Sequence, residues 1–198
     1  MIRAKIDRLT QSSINYWFSF ASDSCAALFM FGYGLFRYDG NLIACAISAA
    51  AGFLTFGLVE YLIHRWFFHA SWSPAYRGHV QHHDNPRALI ALPWFLNTLI
   101  TMCIWWLLVR VLPAAPASIF TAMLVIGYIY YGLMHHVQHH YTIDRKSFLK
   151  SRAYHNIHHK LPETNFGVTT TVWDKIFGTH YRTRPLNHTA AYDSPLGK

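Results

Sequence analysis

The chain has 198 residues, 53% of them apolar, 17% aromatic and only 13% charged, with a formal net charge of +8. That length holds one ordinary domain and not several. A soluble domain carries about a quarter charged residues, so an ordinary soluble globule is excluded. The seven Trp, twelve Tyr and fourteen Phe point to a membrane protein with aromatic belts at the interfaces.

The basic N-terminal stretch "MIRAKIDR" leads into a first apolar run at about 16–36, long enough to span a bilayer of roughly 20 helical residues. It is too long for a signal-peptide core, so no cleavable leader is expected. Asp23 lies near the middle of this run, where a carboxylate is costly unless paired. The link "RYDGN" turns the chain into a second run at about 41–63. The segment 64–90 follows, with "HRWFFH" and "GHVQHHDNP". A third run at about 91–112 ends near Arg110, which can snorkel. "PAAP", with Pro113 and Pro116, separates it from a fourth run at about 114–134. "HHVQHH" closes that run. Beyond it, "RKSFLKSRAYHNIHH" reads as an amphipathic helix. "TNFGVTTTVWDKIFGT" reads as a short element between turns, with Gly167 and Gly178 permitting those turns and Trp173 offering a packing surface. Residues 183–198 read as a frayed C-terminal tail.

The expected fold is all-α. Four transmembrane helices form two hairpins, and a cytoplasmic helical cap carries a histidine-rich dimetal site. Residues 1–182 make one membrane-embedded domain. The N-terminal stretch, the segment 64–90 and the tail hold 15 of the 17 Lys and Arg. The positive-inside rule therefore puts both termini and the middle segment in the cytoplasm, in a bacterial inner membrane or the endoplasmic reticulum. The positive charge suits anionic lipid headgroups. No basic face on a soluble module is visible, so no nucleic-acid partner is expected. Cys25, Cys45 and Cys103 fall inside apolar runs and read as small buried hydrophobes.

Fourteen histidines are present, and most are clustered. Residues three and four apart share a helix face, so His79 points with His82 and His83, and His155 with His158 and His159. His135 and His139 make a further pair, overlapping His136 and His140. His64 and His69 are five apart and converge only if the helix ends or unwinds there, or if each binds a different ion. Neutral, buried imidazoles need a partner for each ring nitrogen, and metal ions supply one. Ten ligands suit two ions rather than a single tetrahedral one. Imidazole accepts Zn, Cu, Fe and Ni. His180 and His188 have no cluster spacing and read as surface residues.

"HRWFFH", "HVQHH", "HHVQH" and "HNIHH", in this order and followed by "FGVTTTVWDKIFGT", resemble the fatty acid hydroxylase/sterol desaturase superfamily of membrane diiron enzymes. The likeness covers about residues 60–180 and is nearest to the fatty acid hydroxylase branch. It implies His64, His69, His79, His82, His83, His135, His139, His155, His158 and His159 as metal ligands. The order of "YGLMHHVQHHY" favours His135 and His139 over His136 and His140. Two iron ions and O2 are implied, although zinc fits the same imidazoles in purified protein. The implied reaction is hydroxylation of a lipid C–H bond. Fatty acyl and ceramide-like substrates rank first, ahead of sterols and carotenoids. No fused haem domain is visible in this sequence, so electrons are expected from a separate ferredoxin-like or b-type cytochrome partner and its reductase.

Carboxylates near the histidines are candidates to orient them. Glu60, one turn before His64, could accept a ring N–H or simply snorkel. Asp84 could orient a ligand or cap the "DNP" turn. Asp174 could bond a histidine or pair with Lys175, the latter slightly favoured. Asn156 and Asn165 read as turn residues. The alternative on the same metals is a lipid or sterol desaturase or C-methyl oxidase. An alternative of another class is a histidine-rich metal transporter, which predicts ligands inside the spans. A zinc hydrolase would want a His-Glu-x-x-His motif, which this sequence lacks.

Overall fold

The computed structural model describes residues 2–182. Helix α1 (Ile2–Thr10) precedes two long helices, α2 (Ser13–Phe36) and α3 (Leu42–Ile63). A π-helical turn, His64–Phe68, extends α3. A short helix α4 (Tyr76–Asp84) follows, then the long pair α5 (Trp94–Val111) and α6 (Ala114–His140). The described residues finish with α7 (Lys146–Lys160) and the single turn α8 (Val172–Ile176). Residues 183–198, expected to form a frayed tail, lie outside the described residues.

Among the described residues, three segments are long and apolar enough to cross a membrane: Leu42–Phe68, Trp94–Val111 and Ala114–His140, with mean hydropathies of 2.2, 1.5 and 1.6. The chain is an integral membrane protein with an all-α fold. Helix α2 does not join this set, although its 24 residues give ample length. Asn15, Ser19, Ser22, Asp23 and Ser24 dilute its apolar content. Several of these polar groups are spent on α5 and the turn before it. Asn15 donates to the Leu92 carbonyl and accepts from the Trp94 N–H, each at 3.0 Å. Asp23 accepts from Asn97 at 2.9 Å and from Thr98 at 2.7 Å, which supplies the partner that the sequence left unnamed. A buried polar group without such bonds would cost a few kcal/mol. The opposite flank of α2 presents Ile14, Leu28 and Phe36 outward.

Helix α6 is the central post, packed against α2, α3 and α5. Ala26, Ala27 and Met30 of α2 meet Trp105 of α5 and Ala122 and Val125 of α6. The Trp105 indole N–H donates to Ser118 across α5 and α6 at 2.9 Å. At the α3–α6 crossing, a Cβ on Gly52 would sit 2.2 Å from the Phe120 carbonyl oxygen, so glycine sets how closely the helices approach. Pro116 falls in the first turn of α6, where its missing N–H costs nothing. This helix does not stop near residue 134 as its apolar run does. It continues through "HHVQHH" to His140, and the histidines ride on its last two turns. Helices α1, α4 and α7 gather at that same end. Ala91 N–H bonds the Thr10 carbonyl at 3.0 Å, and Arg77 pairs with Asp7 at 3.7 Å.

Candidate metal centre

Two groups of imidazoles lie side by side at this end. One comprises His64, His69, His79, His83 and His158; the other comprises His82, His135, His139, His155 and His159. Within each group the candidate ligand atoms all lie within 4.8 Å of one another. The groups abut where the His83 and His159 rings stack, 4.5 Å apart.

Backbone geometry explains each contribution. His64 and His69 are five residues apart, which an α-helix would splay. The π-helical turn bonds i to i+5 and so stacks residues five apart. Their rings are 5.3 Å apart, in the same group. His135 and His139 are four apart on the regular helix α6, with rings 4.8 Å apart. The two His-x-x-His-His motifs behave reciprocally. Helix α4 gives His79 and His83 to the first group and His82 to the second. Helix α7 gives His155 and His159 to the second group and His158 to the first. The shared face expected for each motif is therefore divided between two centres. His136 and His140 stack on each other at 4.2 Å, outside both groups, and the Tyr16 hydroxyl meets His136 Nδ1 at 3.1 Å.

Hydrogen bonding alone cannot account for the nitrogens. His79 Nε2 lies 3.1 Å from Nε2 of His64, 2.9 Å from that of His69 and 3.1 Å from that of His83. One ring nitrogen carries either one N–H or one lone pair, so three such neighbours cannot all be satisfied. A cation among the lone pairs satisfies them together. Two donors at right angles, each about 2.1 Å from an ion, sit about 3.0 Å apart; a tetrahedral pair sits about 3.4 Å apart. His139 and His155 Nε2 are 2.9 Å apart, and His155 and His159 Nε2 are 3.1 Å apart. These separations fit an ion with more than four ligands. His82 Nε2 is buried without a hydrogen-bond partner and faces the second group. Both groups can bind metal.

The rings are kept neutral. Burial, with the nearby His83 imidazole disfavouring a second positive charge, lowers His69 to about 4. Burial and neighbouring imidazoles hold His82 down to about 2, and His158 and His159 to about 3. The same causes push His79 and His155 well below the ordinary histidine range. Lone pairs are thus available near neutrality.

The carboxylates act differently from the sequence expectation. Glu60 does not take a ring N–H. Its Oε1 accepts from the backbone N–H groups of Val168 and Thr169, and its Oε2 from the Thr169 hydroxyl. The Asp174 carboxylate neither bonds a histidine nor pairs with Lys175. It is fully buried, accepting from Phe166 N–H and Gly167 N–H at 2.8 Å each and from the Thr179 hydroxyl at 2.7 Å. Asp84 is exposed at the end of α4. Ring N–H groups go instead to loop carbonyls. His64 Nδ1 donates to the Phe166 carbonyl at 2.5 Å and His158 Nδ1 to the Thr164 carbonyl at 2.7 Å.

Sequence reasoning missed these carbonyls, because a backbone acceptor leaves no mark in residue type. It also missed Tyr131, stacked on His135 with ring centroids 5.7 Å apart, although its position one turn before His135 was a usable signal. Asn156 is not a turn residue as expected: it lies exposed within α7. Asn165 lies in the loop after α7 with a left-handed backbone, φ 56°. His180 is half-buried beside Tyr154, and His188 lies outside the described residues.

The sequence pattern of the fatty acid hydroxylase family matches residues 49–179, which takes in every histidine of both groups. The chain belongs to the fatty acid hydroxylase family. It is 31% identical over 142 residues to the dihydroceramide fatty acyl 2-hydroxylase FAH2 of Arabidopsis thaliana, covering 67% of this chain and 60% of that protein. It is 29% identical over 185 residues to the fatty acid 2-hydroxylase of Rattus norvegicus, covering 86% of this chain and 46% of that one. The chain thus spans about half to three-fifths of the length of these relatives. A solved structure described as full-length scs7p, with only the hydroxylase domain visible, aligns with a TM-score of 0.73 and 26% identity. The alignment covers 98% of this chain and 72% of that one.

Proposed function

We propose that this fatty acid hydroxylase family member is a membrane-bound diiron oxygenase that hydroxylates a C–H bond of a fatty acyl or ceramide-like lipid. The observation that carries the reading is the pair of five-imidazole groups, with nitrogen spacings that only shared cations satisfy. The relatives' names point to the carbon next to the acyl carbonyl as the site oxidised. The ten grouped histidines are the proposed ligands, five to each iron. Iron bound there would supply the O2 activation that no side chain provides. One oxygen atom enters the C–H bond and the other leaves as water, using two external electrons and two protons. A separate electron-transfer protein is the proposed donor.

The chain's own residues do the rest. Neutral rings present lone pairs, and the carbonyls of Thr164 and Phe166 fix the Nδ1–H tautomer of His158 and His64. Helices α3 and α6 exclude water on the membrane side of the centre. We read residues 1–182 as one membrane-embedded domain. Helix α2 is then a fourth span: its inward polar groups are satisfied by α5 and its outward flank is apolar. The basic residues on the metal side put that face in the cytoplasm, where a soluble reductant reaches it.

Incubation of the purified protein in lipid nanodiscs with iron, reductant, isotope-labelled O2 and an N-acyl sphingolipid tests this. A 2-hydroxy product carrying one labelled oxygen is expected. A desaturated product would replace hydroxylation by dehydrogenation on the same centre. Lipid left unchanged while metal crosses a vesicle membrane would favour transport instead.

A further inference from the structure

We infer that the two metal positions are unequal, and that Glu60 and Asp174 are positioning residues that make the His64 group the tighter one. This rests on the dimetal reading above. The loop 164–169 has no regular secondary structure, yet its carbonyls orient two rings of the first group, His158 through Thr164 and His64 through Phe166. An irregular backbone holds a carbonyl in place only if something holds the backbone. Here two buried carboxylates from outside the loop take four consecutive N–H groups. Asp174 accepts from residues 166 and 167, and Glu60 accepts from 168 and 169. Asn165, fully buried, ties the start of the loop to the Tyr154 carbonyl of α7, the helix that carries His158. In the second group, by contrast, His155 Nδ1 is buried with no hydrogen-bond partner. Supporting partners of this kind change metal affinity by about 10–100-fold.

The bonding pattern makes opposite predictions for two isosteric changes. Glu60 accepts both backbone N–H groups on Oε1 and a hydroxyl on Oε2. A glutamine can keep its carbonyl oxygen on the N–H groups and turn its amide N–H toward the hydroxyl. Asp174 accepts a backbone N–H on each oxygen, so an asparagine must aim its NH2 at one of them. Glu60→Gln therefore preserves the clasp, and Asp174→Asn breaks it.

The test is chelator-driven release of zinc from full-length protein loaded with two equivalents, in detergent. Wild type should release one ion fast and one slowly. Glu60→Gln should match wild type, whereas Asp174→Asn should speed the slow phase by about 10–100-fold. Glu60→Ala should resemble Asp174→Asn. Equal effects of the two amide substitutions, or a single release phase in wild type, would overturn the inference. Should Asp174→Asn not yield monodisperse protein, His155→Ala decides: it should abolish the fast phase, and loss of the slow phase would overturn the assignment. Zinc release is independent of turnover, so two well-held ions without lipid oxidation would refute the oxygenase reading and leave this one standing.

Discussion

The His64 group and the His82 group are assembled from the same kinds of part by different backbone means. In the first, a π-helical turn brings His64 and His69 together, and a carboxylate-held loop orients two of the rings. In the second, His135 and His139 ride on an unbroken helix, and Tyr131 stacks on one of them. The two His-x-x-His-His helices tie the centres together. Each gives its i, i+4 pair to one group and its middle histidine to the other. Writing the motif twice is thus what makes a pair of centres: one copy supplies three rings, which is too few for either group. The difference teaches that a histidine count fixes how many ions can be held, while the local backbone fixes how firmly each is held.

Several changes would break or sharpen that contrast. The largest effect is expected from His158→Ala, which removes a ring that meets both His69 and His83 of its own group. Product formation should fall below detection, well beyond the roughly 10–100-fold cost of losing a supporting partner. His188→Ala should leave turnover unchanged. Deleting Phe67 should come next, by converting the five-residue spacing of His64 and His69 to four. Metal analysis should then find one ion per chain instead of two, with the His82 group still loaded.

Gly167→Ala probes the loop without touching a ligand. Its Cβ would meet the Thr170 carbonyl oxygen at 2.0 Å, an overpacking that costs about 1–3 kcal/mol. Thermal unfolding in detergent should shift down accordingly. Tyr131→Leu removes the stack on His135, worth about 0.5–1.5 kcal/mol. It should weaken only the ion of the His82 group, by about 2- to 10-fold. His136→Ala is the smallest. Its ring sits outside both groups, so metal content should not change.

Much of this architecture is legible in the chain. Apolar runs mark α3, α5 and α6, because a bilayer demands about 20 uninterrupted apolar residues. The first run was harder: Asp23 and its neighbours look wrong for lipid until Asn97 and Thr98 are seen to take them. The ten histidines stood out because three- and four-residue spacings report a helix face directly. How each motif divides did not, because i+3 and i+4 lie to either side of one face and only the neighbouring helices decide which goes where. Glu60 and Asp174 were visible as carboxylates near ligands, but their partners are backbone N–H groups, which every residue has. The five-residue spacing of "HRWFFH" posed the question that the π-helical turn answers.

The central claim is that two adjacent cations, each ringed by five imidazoles, occupy this end of the molecule. Anomalous X-ray diffraction from metal-loaded crystals, collected at the absorption edge of the ion supplied, tests it most directly. Two peaks per chain are predicted, one within the His64 group and one within the His82 group. A single peak, or peaks at His136 and His140 instead, would contradict the account.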